Sequence, residues 1–229
     1  MSALHRNPRL QFGNTKRRQP RAVVALNGAE PAELGVAQRW AEPGGERALR
    51  VAVDGGIAAW RARRRRPDLF IGDGDSGAPP KGVESILYES NKGFSDLSGA
   101  MMEIAKRKVR LVAVAGLIGG RLDHEWINFA ELAQAAPMFD GLVAPTARGW
   151  VVVTAGRCQL ETIPGQPFSL LSLGAPKPLS LTGARWRLTD ERLALPSHGL
   201  SNITGRRLEL SLSGGCAALV FPNNIKEPS

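Results

Sequence analysis

The stretch from Leu69 to Ser76 reads LFIGDGDS: three apolar residues, a glycine, then two aspartates separated by one glycine. A short apolar run bounded by turn residues is the pattern of a buried strand in a parallel sheet, and in such sheets ligands gather beyond the carboxyl ends of the strands. Residues two apart in an extended segment project to the same side, so Asp73 and Asp75 are expected to share a small volume and repel. A bound cation relieves that repulsion, and a hard divalent ion such as Mg2+ takes carboxylate oxygens.

The same pattern recurs on either side. β-rich runs at Ala22–Leu26, Leu49–Val53, Ser85–Tyr88 and Arg110–Ala115 alternate with helical stretches at about 31–41, 57–66, 96–108 and 124–136, which is the pattern of an α/β domain with a mostly parallel sheet flanked by helices. Helix 96–108 carries Leu97, Ala100, Met101, Ile104 and Ala105 on one stripe, so its methionines belong to the core. Beyond residue 150 the helical period disappears. Short runs at Trp150–Thr154, Gln159–Ile163, Phe168–Leu173, Leu179–Leu181, Arg185–Leu188, Arg207–Leu212 and Ala217–Phe221 alternate with Gly and Pro, which predicts an all-β C-terminal sandwich or barrel. The expected organisation is a disordered basic arm at 1–21, an α/β domain at 22–148 and a β-sandwich domain at 149–229.

The 229 residues carry a formal charge of +9 and 43% hydrophobic content, enough for substantial cores. No apolar run reaches the roughly 18 residues of a membrane span, and no secretory leader is evident, so a cytoplasmic location without a membrane partner is expected. Cys158 and Cys216 form no metal-type spacing and are expected to be small buried apolar residues. Residues 1–21 carry Arg6, Arg9, Lys16, Arg17, Arg18 and Arg21 without one acid. They read as a solvated tail or, more sharply, as a nucleic-acid-contacting arm. The run Arg61 and Arg63 to Arg66 suits a helix C-terminus without any ligand.

The chemistry-bearing residues lie just after the apolar runs. Asp54-Gly55-Gly56 follows Val51–Val53, and Gly119-Gly120-Arg121-Leu122-Asp123-His124 follows Val112–Ala115 at a short distance, while Asp96 opens a helix. Asp96 and Asp123 read equally as helix N-caps, and the glycines as turn residues. Taken with Asp73 and Asp75, the five aspartates favour a Mg2+ site over independent caps and turns. Arg121, the amides of Gly119 and Gly120, the start of the following helix and Lys92 supply what a phosphate needs. Carboxylates for Mg2+ beside cations and amides for phosphate suit phosphoryl-type transfer. Neither G-x-x-x-x-G-K-[ST] nor G-x-G-x-x-G is present.

These blocks, in order, resemble the thiamine pyrophosphokinases (thiamine diphosphokinases): Asn27-Gly28, Asp54-Gly55-Gly56, Gly72–Ser76, Ser95-Asp96, Gly119–His124 with Asn128, and Gly199-Leu200-Ser201-Asn202. The resemblance implies an α/β domain binding ATP and Mg2+, a C-terminal β-sandwich and a homodimer with thiamine between one subunit's α/β domain and the partner's β domain. It also implies transfer of the diphosphate of ATP to the thiamine hydroxyl with release of AMP. By the same resemblance Asp73, Asp75 and Asp96 hold Mg2+, Asp54 and Asp123 support the metal and nucleophile, and Asn27, Lys92, Gly119, Gly120 and Arg121 serve ATP and its phosphates. Ser201, Asn202 and Trp186 face thiamine, although Trp186 alternates with charges in ARWRL and reads equally as the inward face of a strand. The chain departs from the pattern at Gly74, where the family usually has a large residue, and at Gly93, where it usually has an acid. Those departures leave open another acceptor on the same scaffold, such as a hydroxymethylpterin, or a non-catalytic paralogue whose arm contacts nucleic acid.

Overall fold

Ala22, Val23, Val24 and Ala25 are all buried, yet alternate residues face different cores, because successive side chains of a strand point to opposite faces of its sheet. They belong to β2 (Arg21–Ala25) in a computed structural model that describes residues 9–11, 19–175, 177–193 and 196–223. Val23 and Ala25 pack with Leu34 and Trp60, whereas Ala22 and Val24 pack with Leu97, Met101 and Leu132. Helices therefore cover both faces: α1 (Pro31–Ala41) and α2 (Ile57–Ala62) one, α3 (Asp96–Lys106) and α4 (Leu122–Ala135) the other.

The described chain is one large mixed sheet with few helices. β3 (Leu49–Val53), β4 (Leu69–Gly72) and β5 (Glu84–Leu87) run parallel on one side of β2, and β6 (Leu111–Ala115) and β7 (Gly141–Thr146) run parallel on the other, giving the order β7-β6-β2-β3-β4-β5. Chain direction across the sheet reverses between β2 and β6, which makes their carboxyl ends the switch-point crevice. β7 then turns into β8 (Gly149–Thr154), with Thr146 opposite Gly149, and from there pairing is antiparallel. β8 pairs with β14 (Cys216–Pro222), β14 with β10 (Pro167–Leu173), β10 with β13 (Asn202–Leu212), and β13 with β9 (Cys158–Glu161). β11 (Leu179–Ala184) and β12 (Leu188–Glu191) extend β13 as a side branch. The expected boundary at 148/149 falls in the β7–β8 turn, and sheet pairing continues across it.

Several local readings change. β7 has no counterpart among the expected strands. Its Pro145 discourages a strand assignment, but that residue lies past Val143, the last β7 residue with a β6 partner, so no parallel ladder needs its missing N–H. α2 stops at Ala62 because Arg64 turns left-handed (φ 53°) and the amide of Arg65 reaches back to the Trp60 carbonyl. Residues 185–187 form the turn between β11 and β12 instead of a strand. Met101 is fully buried as expected, but Met102 faces solvent. Within the expected arm, Arg9–Gln11 form a strand, β1, antiparallel to β9, and Arg21 begins β2. The rest of the arm, residues 1–8 and 12–18, lies outside the described residues.

Candidate active site

β2, β3, β4 and β6 end on one side of the sheet, and their following loops enclose a cleft of about 460 Å³. Leu26, Asn27 and Gly28 line it after β2, Asp54 after β3, Asp73, Asp75 and Ser76 after β4, and Gly116 after β6. Ser95, Asp96 and Leu97 enter from α3, and Gly120, Arg121, His124, Glu125 and Asn128 from the start of α4. The backbone at β3 must pass close to its neighbours: a Cβ on Gly55 would lie 2.3 Å from Asn27 Oδ1, and one on Gly56 would lie 2.0 Å from the Ala25 carbonyl oxygen. At Gly56 the close atom is backbone, so only glycine permits that approach, and the tight turn brings Asp54 to the cleft.

Carboxylate oxygens of Asp54, Asp73 and Asp96 lie within 4.8 Å of one another. Asp54 is 8% exposed, adopts a left-handed backbone (φ 45°), and its Oδ1 is buried without a hydrogen-bond partner. A strained backbone holding an unsatisfied buried acceptor costs stability and marks a place kept for something other than packing. Burial pushes the Asp54 carboxyl above its ordinary range, and the charges of Asp75 and Asp96 push the same way against hydrogen bonds from Ser76 and Gly55. Asp73 shifts oppositely, held down first by the Asp75 amide, then by Ser90 and by the charge of Lys92. The environments of the two neighbouring carboxyls thus push them in opposite directions, Asp54 up and Asp73 down. Three hard oxygen donors, one of them unsatisfied, fit a divalent cation such as Mg2+.

The extended geometry expected for Asp73 and Asp75 is not what the chain adopts. Gly74 takes φ 82°, the Asp75 amide donates to Asp73 Oδ1 at 3.1 Å, and Asp75 turns aside to accept from Ser76 Oγ at 2.8 Å. Asp75 still lines the cleft, but Asp54 takes the third place in the tight cluster. Asp96 is not an N-cap: Ser95 caps α3 by accepting from the Ser98 amide at 3.1 Å, leaving the Asp96 carboxylate for the cleft. Asp123 is not an N-cap either, because α4 begins at Leu122 with Arg121 in the cap position.

The phosphate-type groups stand differently. Arg121 Nε and Nη2 donate to the two carboxylate oxygens of Asp123 at 3.1 and 2.6 Å, and both side chains are exposed. The amides of Gly119 and Gly120 donate to one oxygen of Glu125 at 2.7 and 3.1 Å. Lys92 lies against Asp96, Nζ to Oδ1 3.0 Å, and over the Tyr88 ring, so it joins the acidic wall instead of standing beside Arg121.

Trp186, Ser201 and Asn202 do not line the cleft in this chain. Trp186 is 55% exposed in the β11–β12 turn, which removes its reading as an inward strand residue. Asn202 is buried and clamps that turn: its Oδ1 accepts from the Trp186 and Ile203 amides, and its Nδ2 donates to the Trp186 carbonyl at 2.7 Å. Asn202 therefore positions Trp186. Ser201 adopts φ 59° at an exposed corner.

Sequence reading missed Glu125, Glu131 and Glu33. Glu131 reaches from α4 to accept from Ser95 Oγ at 2.5 Å, and burial raises its carboxyl. Glu33, 5% exposed, accepts from the Gly116 amide and the Ala147 amide, each at 3.1 Å, joining the end of β6 to the β7–β8 turn. Acids on helices are common and carry no long-range signal in sequence, so only the fold reveals these partners.

Residues 45–139 match the family model described as "Thiamin pyrophosphokinase, catalytic domain", which covers Asp54, Asp73, Asp75, Asp96, Arg121 and Asp123. No curated protein sequence matches the chain. Among solved structures, thiamine pyrophosphokinase from Bacillus subtilis is similar at TM-score 0.72 and 17% identity, covering 90% of this chain and all of that one. The enzyme from Geobacillus thermodenitrificans is similar at TM-score 0.70 and 19% identity, with 90% and 99% covered. The enzyme from Candida albicans follows at 0.64 and 14%, with 95% and 99% covered. At such identities the structural likenesses establish a shared fold.

Proposed function

We propose, from a chain whose resemblance to thiamine pyrophosphokinases is borne out by the family model and the shared fold, that it is a Mg2+-dependent thiamine diphosphokinase. The observation that carries this reading is the single cleft in which Asp54, Asp73 and Asp96 face Arg121 and the Gly120 loop. Residues 22–148 would serve ATP and the metal, and residues 149–229 would serve the acceptor.

Asp73 and Asp96, with Asp54 or Asp75, would hold Mg2+, which supplies neutralisation of the phosphate charge. Arg121 leaves Asp123 to donate to phosphate oxygens, and the glycine amides orient the same group. With Asp75 completing the metal set, Asp54 would accept the proton of the attacking hydroxyl as the oxygen bonds to the β-phosphorus and the bond to the α-phosphate oxygen breaks, releasing AMP. Asn27 lines the cleft beside Gly28 and is placed for the nucleotide.

A second copy of the chain supplies the acceptor side in this reading. α4 exposes Leu122, Trp126 and Ile127, and an apolar groove of about 1010 Å³ lies between α4 and the β10 and β14 strands. Trp186 and Leu200 are exposed too, so a homodimer covers apolar surface while bringing Trp186 and Ser201 to the partner's cleft. Sedimentation should give a dimer.

The enzymatic test is incubation with ATP, Mg2+ and thiamine. Thiamine diphosphate and AMP in equal amounts are expected; ADP as the sole nucleotide product, or no turnover, overturns the proposal. A second acceptor class is favoured by one observation: a Cβ on Gly74 or Gly93 would meet nothing within 4 Å, so this chain leaves room at two loop positions. Faster turnover of a hydroxymethylpterin than of thiamine would establish that reading.

A further inference from the structure

Both anion-binding groups of the cleft are occupied by acids of the helix that follows them. Arg121 is forked onto Asp123, and one oxygen of Glu125 bridges the amides of Gly119 and Gly120 at 2.7 and 3.1 Å. Two successive amides converging on one carboxylate oxygen are the arrangement that a phosphate oxygen would take. Nothing lies within 4 Å of a Cβ built on either glycine, so the surrounding space is open to a larger ligand. The opposite wall supplies an independent sign that the cleft is built for an ionic ligand, because Asp54 Oδ1 is buried there without a partner.

We propose that Glu125 is an internal competitor for the phosphate position, setting how tightly this chain holds its anionic substrate. The proposal rests on the diphosphate-transfer reading and adds a residue to it. Phosphate enters only in the fraction of molecules whose Glu125 has left the two amides, so the apparent affinity is the intrinsic one reduced by that fraction. The released side chain has a place to go: Glu125 lines both the acidic cleft and the apolar groove between α4 and β10. Anion binding in the cleft therefore alters a wall of the groove.

Titration calorimetry of the full chain with Mg·ATP, and separately with inorganic diphosphate and Mg2+, tests this in wild type, Glu125→Asp, Glu125→Gln and Glu125→Ala. The aspartate keeps the charge but is one methylene too short to bridge the amides, so it separates occupancy of the nest from general charge repulsion. Binding about tenfold tighter in E125D and E125A, with E125Q between them and wild type, is expected. Equal or weaker binding by E125D, with tightening confined to E125Q and E125A, reduces the effect to charge and overturns the proposal. Equal Mg·ATP affinity in all four proteins overturns it while leaving the proposed function standing. Tighter diphosphate binding without any ATP binding leaves the competitor standing and removes the kinase reading. No binding of either probe removes both.

Discussion

The two walls of the cleft are finished differently. On the acidic wall, Asp54, Asp73 and Asp96 crowd within 4.8 Å and Asp54 Oδ1 has no partner. On the other wall, the Gly119 and Gly120 amides donate to Glu125, and Arg121 is forked onto Asp123. The difference follows from what each wall can borrow. The start of α4 carries Asp123 and Glu125, which can satisfy amides and a guanidinium, but few side chains can neutralise three carboxylates at once. Lys92 pairs directly with Asp96 and only adds a favourable charge near Asp73. In the proposed function the acidic wall would therefore take a cation from outside, whereas the basic wall would exchange one set of anions for another.

The largest test breaks the acidic wall. Asp73→Asn or Asp96→Asn should lower turnover about a thousandfold, since a charge-positioning group is lost where charge moves. In metal-free buffer the melting temperature should be unchanged or slightly lower, because Asp73 loses its contact with the Asp75 amide and Asp96 its pair with Lys92, neither of them deeply buried. A collapse in stability would make the aspartate a structural residue. Breaking the basic wall should cost less: Arg121→Ala is expected to raise the KM for ATP about a hundredfold while leaving the melting temperature in place, because its pair with Asp123 is exposed and contributes little. A comparable loss of stability would contradict the exchange picture.

Glu33 sharpens the comparison by holding Gly116, a cleft residue, from outside the cleft. Glu33→Gln replaces one of two acceptor oxygens by a donor and leaves a buried amide unsatisfied, so denaturant unfolding should show a loss of about 2 kcal/mol. An unchanged midpoint would remove its role as a clamp. The smallest effect is a pH slope. Asp54's folded proton affinity is raised, so the folded state binds more protons than the unfolded one between the ordinary and raised values. Its contribution to stability is fullest below the ordinary value and is lost as pH rises through the raised one. In metal-free melts, Asp54→Asn should flatten that decline, and Mg2+ should stabilise wild type increasingly as pH rises; a slope unchanged by the substitution would point elsewhere.

The position of the cleft was legible because burial on both faces of a parallel strand leaves its ends as the places where polar residues can gather, and runs such as LFIGDGDS display those ends directly. Helix α3 was legible from the apolar stripe from Leu97 to Ile104. Membership of the tight carboxylate cluster was not, since a left-handed Gly74 turns Asp75 aside and a left-handed Asp54 turns inward, and single-residue dihedrals leave no periodic trace. β7 was hidden by Pro145, whose tolerance depends on where its neighbour ends. The engagement of Asn202 with Trp186 and of Glu33 with Gly116 joins residues 16 and 83 positions apart, and no local pattern announces such pairs.

Strand β14 gives the molecule a history as well as a shape. The last described strand in sequence, it sits between β8 and β10 and supplies the ladder from Thr154–Ala217 to Gly149–Pro222 on one side. The strands around the cleft lie between residues 21 and 115 and can pair while the ribosome is still adding the rest. β8 cannot find its second neighbour until about sixty residues later in synthesis. Throughout that interval an apolar edge of Trp150, Val151, Val152 and Val153 is open to other chains. The period of greatest exposure to misassembly thus falls after the strands around the cleft are in place and ends with the arrival of a single strand.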